Sequence, residues 1–140
     1  MAKSSWWIFE RSGLKAEMKG YQSKSPPVVC PIVNGITKAS LPDGRDVLLI
    51  MNNGTLIEDS NEKESLAVPF DMMRHGVLVD IVPKTHGGSQ GITVENEFLP
   101  CWYDEEKCFY TIQKPTQYDL DILESYEITS PNVYPNPGIN

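Results

Sequence analysis

The chain has 140 residues, of which 40% are hydrophobic and 22% are charged, and its net charge is −7. This is the composition of an ordinary soluble globular protein, and the length fits one domain. The acidic excess also argues against broad binding to nucleic acid, because the phosphate backbone would be repelled.

The charge is unevenly distributed along the sequence. Residues 1–45 contain seven Lys and Arg against three acidic residues, a net charge of +4. Residues 46–140 contain five Lys and Arg against sixteen acidic residues, a net charge of −11. We expect the basic first segment to attract the acidic remainder of the same chain or of a neighbouring copy.

The N-terminal segment contains the apolar cluster Trp6-Trp7-Ile8-Phe9, which two charged residues follow at once. The cluster is too short for the core of a signal peptide, and no window approaches the roughly 20 apolar residues of a membrane span. We therefore expect no signal peptide and no transmembrane segment, and a location in the cytoplasm or within a viral particle. Residues 14–21 fit either a short helix or the second strand of a hairpin that turns at Ser12-Gly13.

The strongest structural signal lies in the next part of the chain, where two turn tripeptides separate short apolar runs. Pro42-Asp43-Gly44 and Asn52-Asn53-Gly54 supply the residues that tight turns need, and Asn53-Gly54 favours positive φ at both positions. The sequence predicts strands over residues 36–41, 46–51 and 55–58, joined as an antiparallel β-meander. Before them, residues 28–36 read as an apolar strand that Pro31 interrupts.

Short elements are also predicted after the meander. Residues 66–70 fit an edge strand, and residues 71–76 fit one helical turn with Asp71 as its N-cap and Gly76 after its end. Residues 77–82 are almost wholly apolar, which predicts a central strand buried on most of both faces. Residues 92–98 alternate between apolar and polar side chains, which is typical of a single half-buried strand.

The C-terminal third predicts a hairpin, a helix and an arm. The hairpin turns at the acidic tip Asp104-Glu105-Glu106-Lys107 and pairs Trp102 with Phe109. Thr116 and Asp119 form a capping box that begins a helix over residues 117–126. Residues 130–140 contain three prolines and cannot build a core, so we expect an extended or disordered arm after a single domain over residues 1–129.

These elements together predict a mainly β fold. We expect a small antiparallel barrel or sandwich that contains the β-meander, with one short C-terminal helix and an extended C-terminal arm. The chain carries no internal repeat.

The cysteines do not indicate a disulfide framework or a metal site. Cys30, Cys101 and Cys108 make an odd number without CxxC spacing, which favours reduced thiols. In the predicted hairpin Cys101 faces Tyr110 and Cys108 faces Tyr103, so the two thiols lie diagonally and we expect no bond between them. We expect neither a metal nor a cofactor.

The loop His86-Gly87-Gly88-Ser89 is the one candidate site for an anion or a small ligand. Consecutive glycines let backbone N–H groups converge on an anion, but the chain has neither a GxSxG nucleophile motif nor a P-loop. A flexible turn between strands is the preferred interpretation, and no catalytic residue is assigned. A small hydrolase-like enzyme that uses His86 with a cysteine or a carboxylate is an alternative.

The aromatic residues near the two ends predict a different role. Trp6, Trp7 and Phe9, and Tyr126 and Tyr134 near the C-terminus, are candidate anchors that hold terminal arms on this chain or on a neighbouring copy. The main hypothesis is a non-enzymatic assembly or protein-binding module that forms a homo-oligomer or a larger assembly. A small structural or accessory protein of a virus or mobile element fits this description, and an acidic protein inhibitor is a further alternative.

Overall fold

The structure is a computed structural model, and it describes residues 1, 4–18, 28–56, 69–104 and 107–131. The helices are α1 (Pro69–Arg74) and α2 (Gln117–Ile122), with a short 3-10 turn over Lys84–His86. The strands in chain order are β1 (Trp7–Met18), β2 (Val28–Ser40), β3 (Asp46–Thr55), β4 (Leu78–Asp80), β5 (Gly91–Val94), β6 (Glu97–Pro100), β7 (Trp102–Asp104), β8 (Lys107–Phe109), β9 (Ile112–Gln113) and β10 (Ser125–Glu127).

The main sheet follows the order β1-β2-β3-β10. Its β-meander consists of β1, β2 and β3, so β1 and not the predicted strand over residues 55–58 is the third strand. Consecutive strands β1, β2 and β3 are antiparallel, whereas β10 lies parallel to β3, and β9 pairs with β2 at Lys38 and Ala39. The turn at Pro42-Asp43-Gly44 joins β2 to β3 as predicted. Gly44 adopts a φ of 91°, and the Leu41 N–H donates to the Arg45 carbonyl at 2.8 Å.

The second predicted turn is wrong, because β3 continues through Asn52-Asn53-Gly54 to Thr55. Val33 pairs with Gly54 and Gly35 pairs with Met51, so β3 contains one extra residue and forms a β-bulge. Asn53 supplies the positive φ of 56°, whereas Gly54 is not among the residues of positive φ. Thr55, where a separate strand was predicted to begin, is instead the last residue of β3, and residues 57–58 lie outside the described residues.

The N-terminal segment is one long strand rather than a helix or a local hairpin. Residues 7–18 all belong to β1 and pair with β2, with register shifts between Ile8 and Glu10 and between Arg11 and Lys15. Gly13, with a φ of 82°, lies inside the second irregularity. Both alternatives for residues 14–18 are thus wrong, and residues 19–21 lie outside the described residues.

The second sheet has the order β4-β5-β6 and corrects two predictions. Residues 92–98 do not form one strand: the chain turns at Glu95-Asn96, with Glu95 at a φ of 55°, and returns as β6. Residues 77–82 contain only the short edge strand β4 and are not a central strand. Three apolar side chains there are exposed: Leu78, Ile81 and Val82.

The two helices were partly predictable. The edge strand over residues 66–70 is wrong where it is described, since Pro69 and Phe70 begin α1, and residues 66–68 lie outside the described residues. Asp71 therefore lies in the first turn of α1 and is not its N-cap, while Gly76 follows the helix at a φ of 87°. Helix α2 begins with the predicted capping box but ends earlier, at Ile122, because the chain extends into β10.

One hydrophobic core joins the two main groups of strands, and the fold is mainly β. No closed barrel forms among the described residues, where the strands make three separate sheets. None of the helices in this part of the chain is long and apolar enough to cross a membrane. The buried core residues shared by the sheets include Val33, Val47, Leu49, Met51, Ile92, Val94 and Leu99.

Candidate protein-binding surface

Alternate residues at the start of β1 point into the core and out to solvent. Trp6 is buried at 4% exposure, and Ile8 is half-buried against the core. Trp7 and Phe9 are exposed at 39% and 40%, with their ring centroids 6.1 Å apart and their planes at 27°. We call Trp7 and Phe9 the N-terminal aromatic pair.

Gly35 in β2 makes room for the buried side of this segment. A Cβ atom at Gly35 would lie 3.3 Å from Trp6 Cε3, 3.3 Å from Ile8 Cδ1 and 2.6 Å from Met1 Sδ. Any larger residue at this position would displace the side chains that anchor β1. The absence of a side chain at Gly35 therefore helps to fix the outward position of the N-terminal aromatic pair.

Thr37 fixes the backbone that leads into β1. Its hydroxyl is fully buried and lies within hydrogen-bond distance of two carbonyl oxygens, that of Ser5 at 2.7 Å and that of Gln113 at 3.1 Å. Since β1 and β9 both pair with the same side of β2, Thr37 lies where these two segments meet. In the described part of the chain, β1 has no strand beyond it and is the edge of the main sheet.

Of the two C-terminal candidates, only Tyr126 lies in the described residues, and it is not exposed. Tyr126 is half-buried against the core, and its hydroxyl donates to Glu124 Oε2 at 2.7 Å. This hydrogen bond raises the pKa of Tyr126 to about 12. Tyr134 lies outside the described residues. Trp6 and Tyr126 thus pack on their own chain, which leaves Trp7 and Phe9 as the outward-facing anchors.

A polar clamp that sequence reasoning missed holds the segment after β10. The Thr129 hydroxyl accepts from the Asn52 N–H at 2.7 Å and donates to the Asn52 carbonyl at 3.0 Å. The Asn52 side-chain amide donates to the Thr129 carbonyl at 3.0 Å, and that of Asn53 donates to the Pro131 carbonyl at 3.3 Å. Asn52 and Thr129 are 77 positions apart, so no local pattern in the sequence reveals this contact.

The His86 loop uses its backbone amides within the chain. The Gly87 and Gly88 N–H groups donate to the carbonyls of Lys84 and Pro83, at 3.0 and 3.1 Å. The Ser89 N–H donates to Asp80 Oδ2 at 2.9 Å, and this bond lowers the pKa of the Asp80 carboxyl. A carboxylate of the protein thus occupies the acceptor position that an anion would take, while His86 itself is exposed.

The thiols of Cys101 and Cys108 lie near tyrosines. Tyr103 pairs with Cys108 across the hairpin, as predicted, and Cys30, Cys101 and Cys108 are free. Burial raises the pKa of Cys108 to about 12, so its reactive thiolate is scarce at neutral pH. In the described part of the chain, no group of three or more His, Cys, Asp and Glu side chains could hold a metal ion.

A second aromatic pair, with one exposed and one half-buried member, lies on the hairpin of β7 and β8: Trp102 is exposed and Phe109 is half-buried. Trp102 and Phe109 stack with ring centroids 5.1 Å apart and planes at 25°, as the sequence predicts. Trp102 is 50% exposed, and its indole N–H donates to Thr111 Oγ1 at 3.3 Å. We call Trp102 and Phe109 the hairpin aromatic pair.

Comparison of the chain with protein-family models, with curated proteins and with solved structures returned no match.

Proposed function

We propose that this protein is a non-enzymatic protein-binding module that self-associates through the N-terminal aromatic pair. The observation that carries the proposal is that Trp7 and Phe9 are stacked on each other and two-fifths exposed, on a strand that is firmly anchored beneath them. Aromatic side chains supply a large contact area for little loss of conformational entropy, and Trp is among the commonest interface anchors.

The position of the pair also supports binding to protein. Strand β1 is the edge of the main sheet in the described residues, and an edge strand presents backbone N–H and C=O groups to a partner. Trp6 is buried and Ile8 is half-buried, and together they fix the neighbouring backbone. Little conformational entropy is therefore lost when a partner binds.

The charge distribution favours a second copy as the partner. The net charge of −7 opposes binding to a phosphate backbone, whereas a chain with a +4 segment and a −11 segment is complementary to another copy of itself. The same proposal includes a role as a structural or accessory protein, in the cytoplasm or within a viral particle.

Sedimentation velocity of the double variant Trp7→Ala with Phe9→Ala tests the proposal. The wild-type chain of 15.7 kDa should sediment as a larger species whose weight-average mass rises with concentration. The variant should sediment as a monomer, because both interface anchors are removed while the buried residues beneath them are kept.

Tyr118→Ala is the matched control, since Tyr118 is an aromatic residue on α2 that is 69% exposed. It should associate like the wild-type chain, and thermal unfolding should show that all three proteins are folded. A double variant that associates as strongly as the wild-type chain would refute the proposal.

A further inference from the structure

We infer that the surface bound by the N-terminal aromatic pair is the hairpin aromatic pair of a second copy. This inference depends on the proposed function, and it names the surface to which the N-terminal aromatic pair binds. The copies would then associate head to tail, with Trp7 and Phe9 of one molecule against Trp102 and Phe109 of the next.

The hairpin presents aromatic surface that its own molecule does not cover. Strands β7 and β8 form a separate two-stranded sheet in the described residues, and Trp102 is half exposed on it. A partner on the aromatic face would bury the apolar area that Trp102 now exposes. Trp7, Phe9 and Trp102 are all exposed in one molecule, while Phe109 is half-buried.

The sequence charges of the two segments are opposite. Residues 1–24 contain five Lys and Arg against two acidic residues, a net charge of +3. Residues 102–109 contain three acidic residues against one Lys, a net charge of −2. Contact between two copies of the same segment would bring like charges together, whereas contact between the two different segments brings opposite charges together.

This pairing has a consequence for symmetry. A contact between two different surfaces is heterologous, so an open chain of copies keeps one unused surface at each end, one of each kind. Such contacts build rings when the rotation between copies closes and chains when it does not. The proposed interface therefore predicts assemblies that can grow beyond a dimer.

Mixing two defective variants tests the inference. The head variant carries Trp7→Ala and Phe9→Ala and keeps the hairpin, whereas the hairpin variant carries Trp102→Ala and keeps the N-terminal aromatic pair. Each variant alone should lose association and remain monomeric in native mass spectrometry. An equimolar mixture should form a heterodimer and no larger species, because it can make one intact contact and then has only mutated surfaces left.

The outcomes separate the inference from the proposed function. If the hairpin variant alone associates like the wild-type chain, the inference fails while the proposed function stands. If both variants are monomeric and their mixture also remains monomeric, the head-to-tail pairing is overturned. If the head variant associates like the wild-type chain, both fail. Trp102→Phe, which keeps an aromatic ring, should retain association and serves as a folded control for the hairpin.

Discussion

Trp7 and Phe9 face solvent because the residues beneath them fix the backbone of β1. Gly35 leaves space for Trp6 and Ile8, and the buried Thr37 hydroxyl meets the carbonyls of Ser5 and Gln113. The outward position of Trp7 and Phe9 thus depends on the absence of a side chain at Gly35 and on the buried hydroxyl of Thr37. Sequence patterns identify the aromatic residues, but the role of Thr37 depends on a carbonyl 76 positions away.

Replacement of Thr37 by Val tests this support. Valine keeps the shape of the side chain but removes the buried hydroxyl, so the carbonyls of Ser5 and Gln113 lose that partner. We expect the free energy of unfolding, measured by urea titration, to fall by about 1 to 3 kcal/mol. Thr85→Val, at an exposed position, is the control and should change it little. Equal stability of the Thr37 variant and the wild-type chain would contradict this account.

At the scale of elements, the residues typical of turns predicted some connections between strands correctly and others wrongly. Pro42-Asp43-Gly44 and the capping box of Thr116 and Asp119 act through residues a few positions apart, so the sequence shows them directly. Asn52-Asn53-Gly54 resembles a hairpin turn, yet its asparagines bond to distant segments and the strand continues. A short local pattern cannot show which long-range partner will compete for a side chain.

The prediction of a single strand over residues 92–98 was wrong for a related reason. Its alternation continues through Glu95, but a positive φ at that residue reverses the chain into a hairpin. Positive φ is uncommon outside glycine and asparagine, and no glycine stands there to signal it. The prediction of a central strand over residues 77–82 was wrong because apolar content alone does not distinguish a central strand from an edge strand. Leu78 in the edge strand β4 is exposed.

Replacement of Thr129 by Val tests the polar clamp between β3 and the segment after β10. The variant loses both hydrogen bonds between the Thr129 hydroxyl and the Asn52 backbone. We expect a loss of about 1 to 3 kcal/mol in the free energy of unfolding. Hydrogen exchange should also become faster at the Asn52 and Ile128 amides, because the clamp holds the C-terminal segment beside β3.

Ser125→Ala is the control for this experiment, since Ser125 lies in β10 and is exposed. It should leave both amides as protected as in the wild-type chain. Unchanged protection at Asn52 in the Thr129 variant would show that β10 holds the segment without the clamp.

At the scale of the whole molecule, the fold packs two of the described terminal aromatic residues on the core and leaves two exposed. Trp6 and Tyr126 pack on the core, while Trp7, Phe9 and Trp102 remain exposed. The mainly β class was predictable because turn signals and apolar alternation recur throughout the chain. The division into separate sheets was not, since it depends on which strands meet across long sequence separations.

Hydroxyl-radical footprinting tests the claim that the chain self-associates through the N-terminal aromatic pair, at the residues concerned. Oxidation of each aromatic residue, read by mass spectrometry, should be compared between dilute and concentrated protein. We expect oxidation of Trp7 and Phe9 to fall several-fold as concentration rises, because a second copy covers them, while exposed Tyr118 stays unchanged. Equal oxidation of Trp7 and Phe9 at all concentrations would contradict the claim.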